Sequence, residues 1–317
     1  VDSPDFNTGT LTVSISINRD ITEDELAINN VGVGIGEIGV SGSNVTYGGT
    51  TIGTFAGGTG TNDLVVTLNA NATVIETSAL IQNITYENTD TDDPTASART
   101  VNFVLTDGDT GTSATASTTV TVSKVNDSPA FAGLDATPGF TENGSAVVLD
   151  GDALISDAEL DAADSYNVAT LTLVNNGGAS ADDLFAESGN LGALTESSAF
   201  TLSATPVGTV TQNSAGTLIL TFNASATSAV VDEVLQSITY ANGSEDPPTS
   251  AQINFTFNDM NVTAQGTGGA LSDSGSVTVT ITPVNDIPVI SNLDTDALAY
   301  DEGDGAMTID QGGNAAV

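Results

Sequence analysis

LVVTLNANATVIETSALIQNITYEN, Leu64 to Asn88, returns as LILTFNASATSAVVDEVLQSITYAN, Leu218 to Asn242. Each copy opens with apolar residues at every second position, Leu64, Val66 and Leu68 in one and Leu218, Leu220 and Phe222 in the other. That is the period of a strand with one face buried. The spacing then changes to that of a helix, with Val230, Val231, Val234, Leu235 and Ile238 on one side of Thr227–Ile238. Thr73 and Glu76 form a capping box at the start of the first helical stretch, and Thr227 is the matching N-cap. Each copy closes on a short strand carrying Tyr86 or Tyr240, whose ring is expected to plug the core with its hydroxyl at the edge.

A second motif repeats at nearly the same step. KVNDSPAF, Lys124 to Phe131, returns as PVNDIPVI, Pro283 to Ile290. Leu64 to Leu218 is a step of 154 residues and Lys124 to Pro283 one of 159, so the chain is an array of units of roughly 155–160 residues. Period-two runs fill the rest of both units: Leu11, Val13, Ile15 and Ile17; Val101, Phe103 and Leu105; Ile253, Phe255 and Phe257; Val277, Val279 and Ile281. Glycine-rich turns separate them. The predicted fold is all-β: tandem Greek-key β-sandwiches, each with one short helix.

The phase of the repeat sets the expected domains. Val1–Val13 matches Ala163–Leu173, and Asp301–Val317 matches Thr141–Asp157. The reading is a repeat lacking its first strand over 1–126, a complete repeat over 127–285, and the start of a further repeat over 286–317. The chain is therefore expected to be a segment of something longer.

Composition excludes several function classes. There are 41 Asp and Glu against 3 Lys and Arg, a formal net charge of −38. Such a surface repels nucleic acid and anionic membrane, which bind through Lys and Arg. Cysteine and histidine are absent, which removes disulfides, thiolate sites and the commonest general base. No apolar run approaches the roughly 18 residues of a membrane span. At 39% hydrophobic residues in tight alternation, the chain is not of disordered composition. Two uses for the carboxylates remain: a solvated saline-adapted surface, or ligands for divalent cations.

The acidic residues gather at strand ends and at the junction between units. Asp107 and Asp109 follow the strand holding Phe103, and Asp259 and Asn261 stand at the matching place. Asn126–Asp127 and Asn285–Asp286 leave the last strand of each unit, and Glu142 and Glu302 follow the first strand of the next. Asp157, Glu159, Asp161 and Asp164 cluster in SDAELDAADS, and Asp2 matches Asp164. Calcium needs six to eight oxygens from carboxylates, amides and backbone. Short acidic motifs converging on a junction supply that set, so Ca2+ is expected there, after Asn126–Asp127, held by residues of both neighbouring units.

VNDSPAF and VNDIPVI resemble the cadherin linker motif, and more closely the V-N-D-x-P junction of bacterial cadherin-like repeats found in large secreted, RTX-type calcium-dependent adhesins. The likeness extends to E-N-x-G at Glu142 and to the DAELDAADS cluster, and it covers the chain as two units. It implies cadherin- or immunoglobulin-like sandwiches, calcium between consecutive units and a bacterial extracellular or cell-surface location. The chain departs from the linker motif at Ser123 and Thr282, where the leading Asp is missing, and it has no Trp for strand-swap adhesion. Fewer carboxylates per junction imply fewer ions.

The resulting functional expectation is a calcium-stabilised structural or adhesive extender, not an enzyme. The expected partners are neighbouring copies of the repeat, in cis or by strand addition, and a cell-surface glycan or protein. Two alternatives differ in class. A self-assembling fibre or surface-layer subunit would use strand addition between copies. A carbohydrate-binding module would need aromatic platforms, and aromatics make up only 5% of the chain.

Overall fold

The structure is a computed structural model that describes residues 4–261, 263–294 and 296–317. The first unit contains β1 (Thr10–Ile17), β2 (Asp24–Ile28), β3 (Ile38–Ser41), β4 (Asn44–Tyr47), β5 (Thr50–Ala56), β6 (Leu64–Leu68), α1 (Val74–Gln82), β7 (Ile84–Asn88), β8 (Ala98–Leu105) and β9 (Ala116–Thr121). The second contains β10 (Ala130–Ala132), β11 (Gly139–Thr141), β12 (Val147–Val148), β13 (Leu154–Ser156), α2 (Ala158–Ala162), β14 (Thr170–Asn175), β15 (Asp183–Glu187), β16 (Ala199–Leu202), β17 (Thr205–Ser214), β18 (Thr217–Phe222), α3 (Ser228–Gln236), β19 (Ile238–Asn242), β20 (Ser250–Asn258) and β21 (Ser272–Thr282).

Each unit is a sandwich of unequal sheets. The first has a seven-stranded sheet ordered β3-β4-β5-β6-β1-β8-β9 and a two-stranded sheet β2-β7. In the second, the large sheet runs β11-β21-β20-β14-β18-β17-β16, opposite a three-stranded sheet β12-β19-β15. Neighbours such as β1 and β8 come from distant parts of the chain, as in Greek-key connections. Two separate cores result, one from Phe6 to Val101 and one from Phe140 to Ile281. Leu171 and Phe255 of one sheet share a core with Phe185 and Tyr240 of the facing one, so the fold is all-β as the alternation predicts.

Local signals are realised with small differences. Thr73 caps α1, accepting from Ile75 N at 3.3 Å, while Glu76 reaches back to Thr73 N at 3.0 Å. Thr227 caps α3. The second unit has a further short helix, α2, so one helix per unit is too few there. Its cause is Asp157, whose Oδ1 caps Leu160 N at 3.0 Å and starts a turn within the acidic cluster. Ile17 leaves the buried stripe and is 54% exposed, because a bulge after Ile15 shifts the register against β8. The tyrosine hydroxyls are not at the core edge. Each donates at 2.5 Å to a buried carboxylate, Tyr86 to Asp24 and Tyr240 to Asp183.

Candidate metal centres at the ends of the units

The upper end of the second unit faces the linker from the first. Lys124 and Val125 leave the first unit and pair with Thr267, and Asn126 N donates to Thr267 O at 2.8 Å. This holds Asn126 over Asp259, its Nδ2 donating to Asp259 Oδ2 at 2.7 Å and to Gly269 O at 3.0 Å. Asp259 Oδ1 accepts from Asn261 N and Leu271 N at 2.9 and 3.0 Å. Asp127 N points at both oxygens of Glu159, at 3.3 Å each.

The electrostatics of this end are unfavourable as it stands. Asp259 is 0% exposed and Asp157 2%, with Asn126 and Glu159 also buried. Burial, with the charges of Asp259 and Asp161 added, pushes the Asp157 carboxyl up to about 6. Burial likewise raises Glu159. Among the described residues, three buried oxygens here find no hydrogen-bond partner: Asn126 Oδ1, Asp157 Oδ2 and Gln265 Oε1. Unpaired buried acceptors cost free energy, and a hard cation satisfies several at once. Asp157 Oδ2, Asn126 Oδ1 and Gln265 Oε1 are the carboxylate and amide oxygens that such a cation takes.

The lower end of the second unit carries a second cluster. β11 runs parallel to the end of β21, with Thr141 opposite Thr282. That places Glu142 against the outgoing linker, where its Oε2 accepts from Val284 N at 2.7 Å. Glu142 is buried and its Oε1 has no partner. Glu142, Glu245 and Asp286 each present an oxygen within 4.8 Å of the others. A third group, Asp135, Asp150 and Asp152, is equally close. There the Asp150 oxygens already accept from the backbone N–H groups of Asp135, Ala136, Asp152 and Ala153 at 3.0–3.1 Å, so the carboxylate holds a loop together.

The structure thus divides the sequence-predicted residues. Asn126, Asp127, Asp157, Glu159 and Asp259 meet at the upper end of the second unit. Asn261 belongs there too, but its side chain ties the 261–266 loop, donating to Gly266 O and accepting from Thr263 N. Asp161 is occupied by Tyr166 and Asp157 N, and Asp164 is an exposed left-handed turn residue. Asp107 and Asp109 do not reach Asn126. β8 pairs with β9 so that Ala98, not Leu105, lies beside the outgoing Thr121, which leaves Asp107 at the far end of the sandwich, closing a turn with Asp109 N at 2.8 Å. Glu142 is also not at the first junction. It sits beside Asp286, a β21 length of roughly 30 Å from Asp259 at about 3.3 Å per residue. Asn285 bonds within its own linker, to Asp286 O at 3.2 Å, and Glu302 is exposed. Asp2 lies outside the described residues. Glu245 and Gln265 were not foreseen. Glu245 stands in the GSEDPP loop, whose counterpart TDTDDP is also acidic, and that repetition was the available signal.

No family model and no curated protein matches the chain. Among solved structures it is similar to extracellular cadherin domains 3–6 of protocadherin gamma B2, at 14% identity and a TM-score of 0.28, over 87% of this chain and 43% of that one. It is also similar to CfaE, the adhesive subunit of CFA/I fimbria of enterotoxigenic Escherichia coli, at 10% identity and a TM-score of 0.27, over 86% and 88% of the two chains. The collagen adhesin of S. aureus is similar at 12% identity and a TM-score of 0.17, over 86% and 96%. The chain spans less than half of the protocadherin chains it matches.

Proposed function

We propose that this chain is a stretch of calcium-stiffened extender repeats from a bacterial extracellular or cell-surface adhesin, with units bounded near 126 and 285. The observation that carries the reading is the pair of half-sites at opposite ends of one unit. The buried Asn126, Asp157, Glu159 and Asp259, with the unpartnered oxygens of Asn126 and Asp157, make the upper half, and Glu142, Glu245 and Asp286, whose oxygens lie within 4.8 Å of one another, the lower. Stacking one repeat on the next brings a lower half, a linker and an upper half together. Without cations their charges repel and the orphaned oxygens stay unpaired, so the units swing. With calcium the same groups tie consecutive units into a rod. In this role the repeat spaces a distal binding surface from the cell and catalyses nothing.

Isothermal titration of chelator-treated protein tests this directly, with small-angle scattering in parallel. Calcium uptake is expected, with a longer maximum dimension and a stability gain of about 2.7 kcal/mol at a hundredfold excess over Kd. Asp157→Asn together with Asp259→Asn should abolish uptake at the upper half. Absence of uptake, with unchanged scattering and melting, would make the carboxylates a solvated surface only.

A further inference from the structure

Each unit buries one aspartate in the same setting, but the charge around it differs. Asp24 stands opposite Asn88 where β2 pairs with β7, and Asp183 opposite Asn242 where β15 pairs with β19. Asp24 is 1% exposed and Asp183 3%. Each accepts from a tyrosine hydroxyl, Tyr86 or Tyr240. A carboxylate held out of water needs a positive partner, because neutral donors leave its net charge in place. Asp24 has Arg99. The 3 Lys and Arg of the chain are Arg19, Arg99 and Lys124, so the second unit has no cationic side chain to offer Asp183.

The first unit also shows a second arginine at this end of the sandwich. Arg19 lies in the connection from β1 to β2, next to Asp20, whose N donates to Asp24 Oδ2 at 2.7 Å. It reaches across to the β5–β6 turn, Nη1 donating to Asp63 Oδ1 at 3.1 Å and Nη2 to Asn62 O at 2.7 Å. Its side chain is only 12% exposed. The matching connections of the second unit, β14 to β15 and β17 to β18, carry no arginine. Between Ala181 of one and Asn213–Gly216 of the other opens a pocket of about 130 Å³ with Asp183 in its wall. The hydrogen bonds of 176–185 and 213–217 all run within the second unit among the described residues, so no neighbouring unit closes this pocket.

Asp183 Oδ1 accepts from Tyr240 and Asn242, and Oδ2 from Asn175, all neutral donors. Asn213 commits its Nδ2 to Phe185 O and Leu194 O at 3.1 and 2.9 Å, which leaves its Oδ1 as a further acceptor. Volume limits the ligand. A water takes about 30 Å³ of liquid, so the pocket holds an ion with a few waters. It is smaller than the roughly 300 Å³ at which sites for organic ligands begin. Charge sets the valence. Calcium gathers six to eight oxygens, commonly from several carboxylates, whereas one carboxylate among neutral oxygens balances one positive charge. We propose that the pocket beside Asp183 seats a single monovalent cation, sodium or potassium, which gives the second unit the charge that arginine gives the first. The site shares no residue with the calcium half-sites and does not depend on them.

Calorimetry of the full chain, resolving the two units in the presence of chelator, tests this. Sodium or potassium chloride is compared with tetramethylammonium chloride, a cation too large for the pocket, at equal ionic strength. The second unit's melting temperature is expected to rise by several degrees in either alkali salt, by mass action on a site present only in the folded state, while the first unit's stays where it is. Asp183→Asn should remove the difference. Ala181→Arg, at an exposed position on the pocket wall, should remove it too by supplying a guanidinium, and should raise the melting temperature in tetramethylammonium. An alkali effect missing from the second unit, or one that Asp183→Asn leaves intact, would overturn the proposal. Should Asp183→Asn fail to fold, an alkali effect undiminished in Ala181→Arg would overturn it instead. With chelator present throughout, a failure of the calcium reading leaves this result untouched.

Discussion

Arg99 and Ala251 hold the same place in the two units, two residues ahead of the buried Val101 and Ile253, and behind each lies a buried aspartate. In the first unit Asp24 takes Arg99 Nε at 3.1 and 3.2 Å and Tyr86 at 2.5 Å. Burial works against its charge, but the bonds from Arg99 and Tyr86 outweigh it and hold the carboxyl below its ordinary range. In the second unit Asp183 has no cation. Tyr240 donates at 2.5 Å, Asn175 at 3.0 Å and Asn242 at 3.3 Å. The same carboxylate position is satisfied by an ion pair in one unit and by neutral amides in the other. The difference follows core size. In the second unit Tyr240 packs against the rings of Phe140 and Phe185, at 6.3 and 6.1 Å. In the first unit Arg99 is itself completely buried, and its stem is part of the packing.

This contrast can be broken by mutation. Phe255→Ala should cost about 3–5 kcal/mol, because its ring is completely buried, whereas Phe103→Ala, at a half-buried ring, should cost roughly half as much. Calorimetry resolving the two units checks this, and equal losses would mean that the two rings are buried alike. Arg99→Met should destabilise the first unit by about 3 kcal/mol through the stranded charge on Asp24, with Asp24→Leu added restoring most of it. Asp183→Asn in the second unit should be milder, since its partners are neutral. The chemical denaturation midpoint of each transition reads the difference.

A further expected effect is one of pH, and it has opposite signs in the two units. Asp157 has a raised folded pKa, about 6 against 3.8. In chelator the folded second unit therefore binds the extra proton, and its stability falls as pH rises from about 4 to about 6, by up to 2–3 kcal/mol. Asp24 has a lowered folded pKa, so the first unit keeps that contribution above about 4 and loses it only on further acidification. Saturating calcium should remove the loss above pH 6 in the second unit. Melting temperatures from pH 3.5 to 7.5, with and without calcium, separate the two signs.

Most of the fold could be read from local pattern. Alternation at Leu11, Val13 and Ile15 or at Phe255 and Phe257 marks the buried face of a strand, because successive side chains of a strand point to opposite sheet faces. Capping threonines at 73 and 227 mark helix starts because the cap bond spans only two or three residues. The 154–159 residue step between copies led to the expectation of repeated units, and the structure has two separate cores. What sequence could not assign was the end of the sandwich each acidic motif occupies. Asp107 follows a core strand just as Asn126 does, and Glu142 follows the VND motif closely in sequence. Their placement depends on strand direction: β8 carries Asp107 away from the junction, and the parallel addition of β11 to β21 carries Glu142 to the next one. Contacts such as Asn126 with Asp259, 133 residues apart, exist only once the sheets have closed. The sequence by itself determined which residues could serve as ligands and which strands form; the direction in which those strands cross the sandwich decided which ligands meet.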